Sequence, residues 1–197
     1  MQNQKFTPVP IPKDGSVFIT KQIQFSKSMD DIFLELKLET LWCQNSINMY
    51  GKDILEPRLT AWYGDPHAVY TYSGIKNIPL SWTDTLFNMK QVLEQEIGTE
   101  FNSVLLNYYR NGNDYMGFHS DDELELGLNP VIASVSLGSA RKFLFINKAN
   151  RKNEVPVVLN HGDVLVMAGD TQTYWKHGIR KTLSVGPRIN LTFRKVY

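Results

Sequence analysis

The chain is poor in several features that would announce a function. It holds one cysteine, Cys43, in 197 residues, which excludes an internal disulfide framework and any zinc site built from several thiolates. Cys43 reads as a small buried apolar residue of a protein kept in a reducing compartment. Long apolar runs are missing as well. Stretches such as Val164-Leu165-Val166-Met167-Ala168 fall far short of the roughly 20 residues needed to cross a membrane. The N-terminal run MQNQKFTPVPIPKDG lacks an apolar secretion core. A soluble, intracellular protein without membrane contact is therefore expected, in a nucleus or a bacterial cytoplasm according to organism. There is no glycine-rich nucleotide loop, no H-E-x-x-H, no G-x-S-x-G elbow, and no internal repeat. A dominant charge is also lacking: the net value is +1, which gives the whole chain no pull toward nucleic acid. Its distribution is less even. Residues 1–140 carry 10 Lys/Arg against 17 Asp/Glu, and residues 141–197 carry 11 against 3. An asymmetry of that size within a chain of one-domain length asks for a cause.

Apolar residues make up 42% of the chain, an ordinary globular content. Residues 1–15 read as an extended, proline-bearing arm and 16–197 as a single domain. A first helix is predicted from Ser28, where Ser28-Met29-Asp30-Asp31 supplies a capping pattern and Met29, Ile32, Phe33 and Leu36 follow helical spacing. A second begins at Ser81-Trp82-Thr83-Asp84. Its stripe is Trp82, Leu86, Met89, Leu93 and Ile97, and Gly98 stands at the stop position. Residues 43–80 carry hairpin punctuation at Tyr50-Gly51, Gly64-Asp65-Pro66 and Ser73-Gly74. From 101 onward, strands are predicted at about 101–109, 114–119, 131–137, 141–148, 154–160, 163–168, 173–180 and 187–196. Short strands without intervening helices imply an antiparallel sandwich or barrel. With the helices packed on one outer face, the class is α+β.

Two of the four histidines stand in suggestive company. His119-Ser120-Asp121 closes a strand-like segment, and residues two apart in an extended chain project to one face. His177 follows 58 residues later within Tyr174-Trp175-Lys176-His177-Gly178. Two imidazoles and a carboxylate form the facial triad of non-haem Fe(II) oxygenases; the plainer alternative is a surface His–Asp pair and a core histidine. In Arg188-Ile189-Asn190-Leu191-Thr192-Phe193-Arg194, alternation puts Arg188, Asn190, Thr192 and Arg194 on one face. That face is either a solvent-facing polar edge or a carboxylate site, since guanidinium forks match carboxylates. Asn107 and Tyr109 add an amide and a phenol at the same interval. A triad beside a dicarboxylate pocket implies Fe(II), 2-oxoglutarate and O2.

Taken together, Asn107-x-Tyr109, His119-x-Asp121, His177 and Arg188-x-Asn190-x-Thr192-x-Arg194 resemble the AlkB family of Fe(II)/2-oxoglutarate dioxygenases over about residues 45–197. The resemblance implies a double-stranded β-helix (jelly-roll) core at about 101–197, nucleotide-recognition hairpins at about 43–80, and oxidative removal of alkyl groups from nucleobases. Pro57-Arg58, Tyr63-Gly64-Asp65, Tyr72-Ser73-Gly74, His119-Ser120-Asp121-Asp122-Glu123 and Ile132-Ala133-Ser134-Val135-Ser136 resemble the subgroup acting on duplex DNA. By that resemblance, His119, Asp121 and His177 hold iron. Arg188, Arg194, Asn190, Asn107 and Tyr109 bind 2-oxoglutarate, Leu105 lines its pocket, and Tyr72 stacks on a flipped base. The implied reaction demethylates 1-methyladenine and 3-methylcytosine, releasing formaldehyde, succinate and CO2.

Those lesions are cationic and unable to pair, so extruding them costs little. Asp122 and Glu123 are candidates to select the positive charge, the alternative being a solvated acidic turn. Met49-Tyr50-Gly51 matches a finger that fills the gap left by the flipped base, the alternative being an exposed turn. Phosphate contacts are expected from some of Arg141, Lys142, Lys148, Arg151, Lys152, Lys176, Arg180 and Lys181. The expected partner is DNA carrying alkylated bases, met by a monomer. Two other readings stay open: the same chemistry on methylated RNA, a protein or a small molecule, and a non-catalytic jelly-roll binding module.

Overall fold

In a computed structural model, the two helices begin and end where their caps dictate. The structure describes residues 5–11, 15–49, 52–72 and 75–197, with the backbone alone for 47–49, 52–53, 70–72 and 75–77. Helix α1 spans Met29–Glu39, and the Ser28 side chain accepts from the Asp31 amide. Helix α2 spans Asp84–Ile97; Thr83 caps it through the Leu86 amide, and Gly98 ends it in the left-handed region at φ 75°. Only glycine takes that conformation without steric cost. The predicted stripes face inward through Ile32 and Leu36 of α1 and Leu86, Met89 and Leu93 of α2.

The strands are β1 (Thr7–Pro8), β2 (Ser16–Thr20), β3 (Ser46–Met49), β4 (Lys52–Leu55), β5 (Leu59–Gly64), β6 (Tyr70–Tyr72) and β7 (Ile75–Asn77). After α2 come β8 (Ser103–Tyr109), β9 (Met116–His119), β10 (Ile132–Gly138), β11 (Arg141–Asn147), β12 (Glu154–Leu159), β13 (Val164–Ala168), β14 (Trp175–Ile179) and β15 (Arg188–Arg194). These last eight fall within the eight segments predicted from 101 onward, to within a residue. The four residues Thr171–Tyr174 form a short helix, α3, before β14. A seven-stranded sheet runs β1-β2-β13-β10-β15-β8-β5 and a four-stranded sheet β12-β11-β14-β9, all antiparallel. Two hairpins, β3–β4 and β6–β7, stand apart from both. This is the jelly-roll, α+β architecture the resemblance implied.

Packing explains why β15 is buried along its whole length. One core joins α1 and α2 to the large sheet through Ile32, Leu86, Leu93, Leu106, Ile189 and Phe193. A second lies between the sheets, where Phe143, Phe145, Leu159, Trp175 and Ile179 meet Ile132, Leu165 and Met167. The alternation read from the sequence is real: Ile189, Leu191 and Phe193 take the helix side. The polar set is no solvent-facing edge, because β15 is flanked by β10 and β8 and every one of its residues is buried.

Two local readings need correction. Cys43 is exposed rather than buried; its contribution is a backbone bridge, with Cys43 and Thr60 exchanging N–H···O bonds of 2.9 and 2.8 Å. Strand β2 was not foreseen between the arm and α1. It is fixed by pairing with β13, Phe18 opposite Val166, and β1 then pairs on its free edge.

Candidate active site

Register brings the three triad residues together. β9 and β14 pair with His119 directly opposite His177, and Asp121 lies two residues beyond the end of β9. The pairing shifts register just past His177. A side chain at Gly178 would come within 2.9 Å of the Met116 carbonyl oxygen, so glycine permits the close approach of the two strands. The ligating atoms of His119, Asp121 and His177 all lie within 4.8 Å of one another. Asp121 Oδ1 is 3.7 Å from His119 Nε2 and its Oδ2 is 3.6 Å from His177 Nε2. His119 Nδ1 sits 3.0 Å from the Gly117 carbonyl. A carbonyl can only accept, so Nδ1 carries the proton and Nε2 is left with its lone pair toward the cluster.

The electrostatics hold Asp121 and His177 in the protonation states a metal needs. Burial opposes the charge on Asp121, but Arg194 and then the two imidazoles outweigh it and hold the carboxyl down to about 2. Burial, reinforced by the neighbouring His119, pushes the His177 imidazole down to about 3. A carboxylate and a neutral imidazole are the ligand forms. Asp121 Oδ2 is buried with no hydrogen-bond partner, as expected of an oxygen reserved for a cation, so the donor set fits Fe(II). Behind it, the Asp121 amide donates to Gln172 Oε1 at 3.0 Å and the Ser120 hydroxyl to the Trp175 carbonyl at 2.9 Å. Gln172 is buried and has no motif in the sequence to mark it.

The predicted cosubstrate residues face one another across strands. Arg188 lies opposite Tyr109, Asn190 opposite Asn107 and Thr192 opposite Leu105. On the other side of β15, Ser136 pairs with Asn190 and Ser134 with Thr192. The cleft is lined by Leu105, Asn107, Tyr109, Asn190 and Arg194 together with the triad. Asn190 Oδ1 accepts from Ser134 at 2.9 Å and from Arg188 Nη2 at 2.8 Å, while its Nδ2 donates to Thr192 at 2.9 Å. Arg188 is wholly buried. Its Nη2 also reaches Ser136 at 2.9 Å, yet Nε and Nη1 have no partner. Burial drives its guanidinium down to about 10. Desolvated donors left unpaired are costly, and an anion reaching either of them would make a charge-assisted hydrogen bond. Arg194 differs: its Nη2 donates to Asp121 Oδ1 at 2.7 Å. In the sequence Ser134 and Ser136 carry only a family likeness; their place in this polar stripe comes from strand register.

The substrate-side candidates are more scattered. Tyr50 and Gly51 lie outside the described residues, and Met49 and Tyr72 are described only as backbone at the ends of β3 and β6. Asp122 is exposed and paired with Lys148 at 3.0 Å. Glu123 is partly buried, and its Oε2 is sequestered without a partner. Among the expected phosphate contacts, Arg141 is a correction. It is buried and donates to the carbonyl oxygens of Asp114 and Arg180 at 3.0 and 2.8 Å, so it serves the fold. Arg180 is committed to Glu154 and Lys148 to Asp122. Lys142, Arg151, Lys152, Lys176 and Lys181 are exposed. No helix among the described residues is long and apolar enough to cross a membrane.

Comparison with known proteins agrees with this geometry. The model of the 2OG-Fe(II) oxygenase superfamily matches residues 16–194. The chain is 40% identical over 181 residues to alpha-ketoglutarate-dependent dioxygenase alkB homolog 3 of Bos taurus, covering 87% of this chain and 63% of that protein. It is 39% identical over 179 residues to the DNA oxidative demethylase ALKBH2 of Homo sapiens, covering 85% and 68%. The solved structure of OsALKBH1 superposes with a TM-score of 0.66 at 19% identity, over 91% of this chain and 97% of that one, a likeness of fold. The chain therefore belongs to the 2OG-Fe(II) oxygenase superfamily and, within it, to the AlkB family of dioxygenases.

Proposed function

We propose that this protein oxidatively demethylates 1-methyladenine and 3-methylcytosine in DNA, a direct-reversal repair reaction that releases formaldehyde. One observation carries the reading: a His–Asp–His cluster shares a polar interior with Arg188, a buried guanidinium that has two unpaired nitrogens. A relative 39% identical bears the name DNA oxidative demethylase, which supports the choice of substrate.

His119, Asp121 and His177 would hold Fe(II). Arg188 would take the far carboxylate of 2-oxoglutarate, because no carboxylate among the described residues pairs with it. Arg194 would steady Asp121 and face the end of the cosubstrate nearest the metal; Asn107, Tyr109 and Asn190 would orient the dicarboxylate beside Leu105. When bound, iron with 2-oxoglutarate and O2 supplies the oxidising power that hydroxylates the N-methyl group, with succinate and CO2 as coproducts. The hydroxymethylated nitrogen then sheds formaldehyde and the base is restored. Tyr72 would stack on the flipped base, and Glu123, with Asp122 beside it, would favour a cationic base over a neutral one. The β3–β4 hairpin would present Met49-Tyr50-Gly51 as the wedge that fills the vacated stack. Lys142, Lys176 and their exposed neighbours would meet phosphates, so binding should weaken as salt rises.

The test is formaldehyde release from matched single- and double-stranded DNA and RNA carrying 1-methyladenine or 3-methylcytosine. His119→Ala should reduce it at least a thousandfold. Turnover of RNA alone, or retained turnover in His119→Ala, would overturn the reading.

A further inference from the structure

Behind the cosubstrate wall lies a buried ion pair that the proposed chemistry does not use. Arg58 and Glu56 have 6% and 4% of their surfaces exposed, and Arg58 Nη2 donates to Glu56 Oε1 at 2.8 Å. A buried ion pair of this kind is poor value as a stabilising device, because desolvation consumes most of its attraction. Its other contact suggests what it is for. Arg58 Nε donates to Asn107 Oδ1 at 2.8 Å, and Asn107 lines the cleft.

A guanidinium has five donors and no acceptor. The Asn107 atom facing it must therefore be the carbonyl oxygen, which turns the amide NH2 away from Arg58. The ion pair thus decides which end of the Asn107 amide is offered to a ligand. Without it, the amide can rotate by half a turn and present an acceptor, which would repel a carboxylate. The pair is itself anchored. The Glu56 amide donates to the Asn45 carbonyl at 2.8 Å, and Gln44 Nε2 donates to the Glu56 carbonyl at 2.8 Å. The intervening Pro57 carbonyl accepts from the Tyr115 amide at 3.1 Å, one residue before the metal-bearing strand β9 begins.

We infer that Arg58, held by Glu56, is a positioning residue that fixes the Asn107 amide with its NH2 toward the 2-oxoglutarate carboxylates. The inference rests on the assignment of Asn107 to the cosubstrate and adds to it the residues that set its orientation. Arg58→Lys keeps the charge beside Glu56 but loses the fork that reaches Asn107.

The experiment is calorimetric titration of 2-oxoglutarate into the full chain loaded with Mn(II), a redox-inert stand-in, for the parent, Arg58→Lys, Asn107→Ala and the double variant. Arg58→Lys is expected to weaken 2-oxoglutarate about tenfold, ~1.4 kcal/mol, with Mn(II) affinity unchanged. In turnover, KM for 2-oxoglutarate should rise while kcat holds. In the Asn107→Ala background, Arg58→Lys should have no further effect, because its target is gone. If Arg58→Lys does not fold, Glu56→Gln replaces it in the same cycle, with a loss of roughly threefold, ~0.7 kcal/mol, expected. Equal losses in both backgrounds, or no loss in the parent, would overturn the positioning role while leaving Asn107 in the site. An Asn107→Ala protein that binds 2-oxoglutarate like the parent would overturn the assignment of Asn107 and the inference with it.

Discussion

The two arginines that begin and end β15 meet buried charge in opposite ways. Arg194 donates to the Asp121 carboxylate at 2.7 Å, beside two imidazoles. Arg188 meets a serine hydroxyl, an amide oxygen and Tyr109, whose ring lies 5.4 Å from its guanidinium carbon. Both are buried within the same strand. One guanidinium is matched by a carboxylate before any ligand arrives, and the other awaits a counterion. The contrast separates what the fold needs from what the site needs, and it can be broken one residue at a time.

The largest effect should come from exchanging each arginine for methionine in the ligand-free protein. Arg194→Met strands the Asp121 carboxylate in the interior, and losing one partner of a buried pair costs roughly 3–5 kcal/mol. Arg188→Met removes an unpaired buried charge and leaves an apolar side chain of similar reach. It should be neutral or mildly stabilising, although KM for 2-oxoglutarate should rise roughly a hundredfold, the equivalent of two charge-assisted hydrogen bonds. Urea melts without 2-oxoglutarate decide the matter; equal destabilisation by the two variants would erase the distinction.

A second effect distinguishes the two ends by pH. In the unfolded chain His177 titrates near 6.5, whereas in the fold burial and His119 hold it to about 3. Between those values the unfolded chain binds the extra proton. The stability of chelated, metal-free protein should therefore fall as pH drops from 6.5 toward 3, by up to about 1.4 kcal/mol per unit. Asp121 acts lower still: its stabilisation is full above about 3.9 and is lost as pH falls toward about 2. Arg188, held at about 10, stays charged throughout and adds nothing to this slope. Melts between pH 4 and 7 should show the slope in the parent and a flatter one in His177→Gln; identical slopes would contradict it.

How much of this could be read from the sequence follows from how far each contact reaches along the chain. His119 and Asp121 were legible because two-residue spacing in a strand needs no knowledge of the fold, and β15 betrayed its two faces by the same period. Arg141 carries a local signal of burial. It shares parity with Phe143 and Phe145, and the three are buried together while Lys142 faces out. Gln172, Ser134 and Arg58 had no such signal. Their partners Asp121, Asn190 and Asn107 lie 51, 56 and 49 residues away, so only the assembled fold brings them into contact. Strand β2 was missed for a related reason: its five residues are held by β13, far along the chain.

The least disruptive test concerns the two carboxylates that follow the triad, a second pair of like charges in unlike surroundings. Asp122 has a side chain 57% exposed and is already matched by Lys148 at 3.0 Å, so solvent and a cation both screen it. Glu123 keeps a buried, unpaired oxygen, Oε2. An unscreened carboxylate near a bound base acts at a lower effective dielectric and discriminates a cation from a neutral ring. Glu123→Gln should therefore reduce the preference for cationic 1-methyladenine over neutral 1-methylguanine about fivefold, ~1 kcal/mol, judged by the ratio of kcat/KM values. Asp122→Asn should shift that ratio less than about twofold, because the charge it removes is already screened by Lys148 and water. The reverse ranking would place the lesion against Asp122, and the Lys148 pair would then have to open whenever a damaged base is bound.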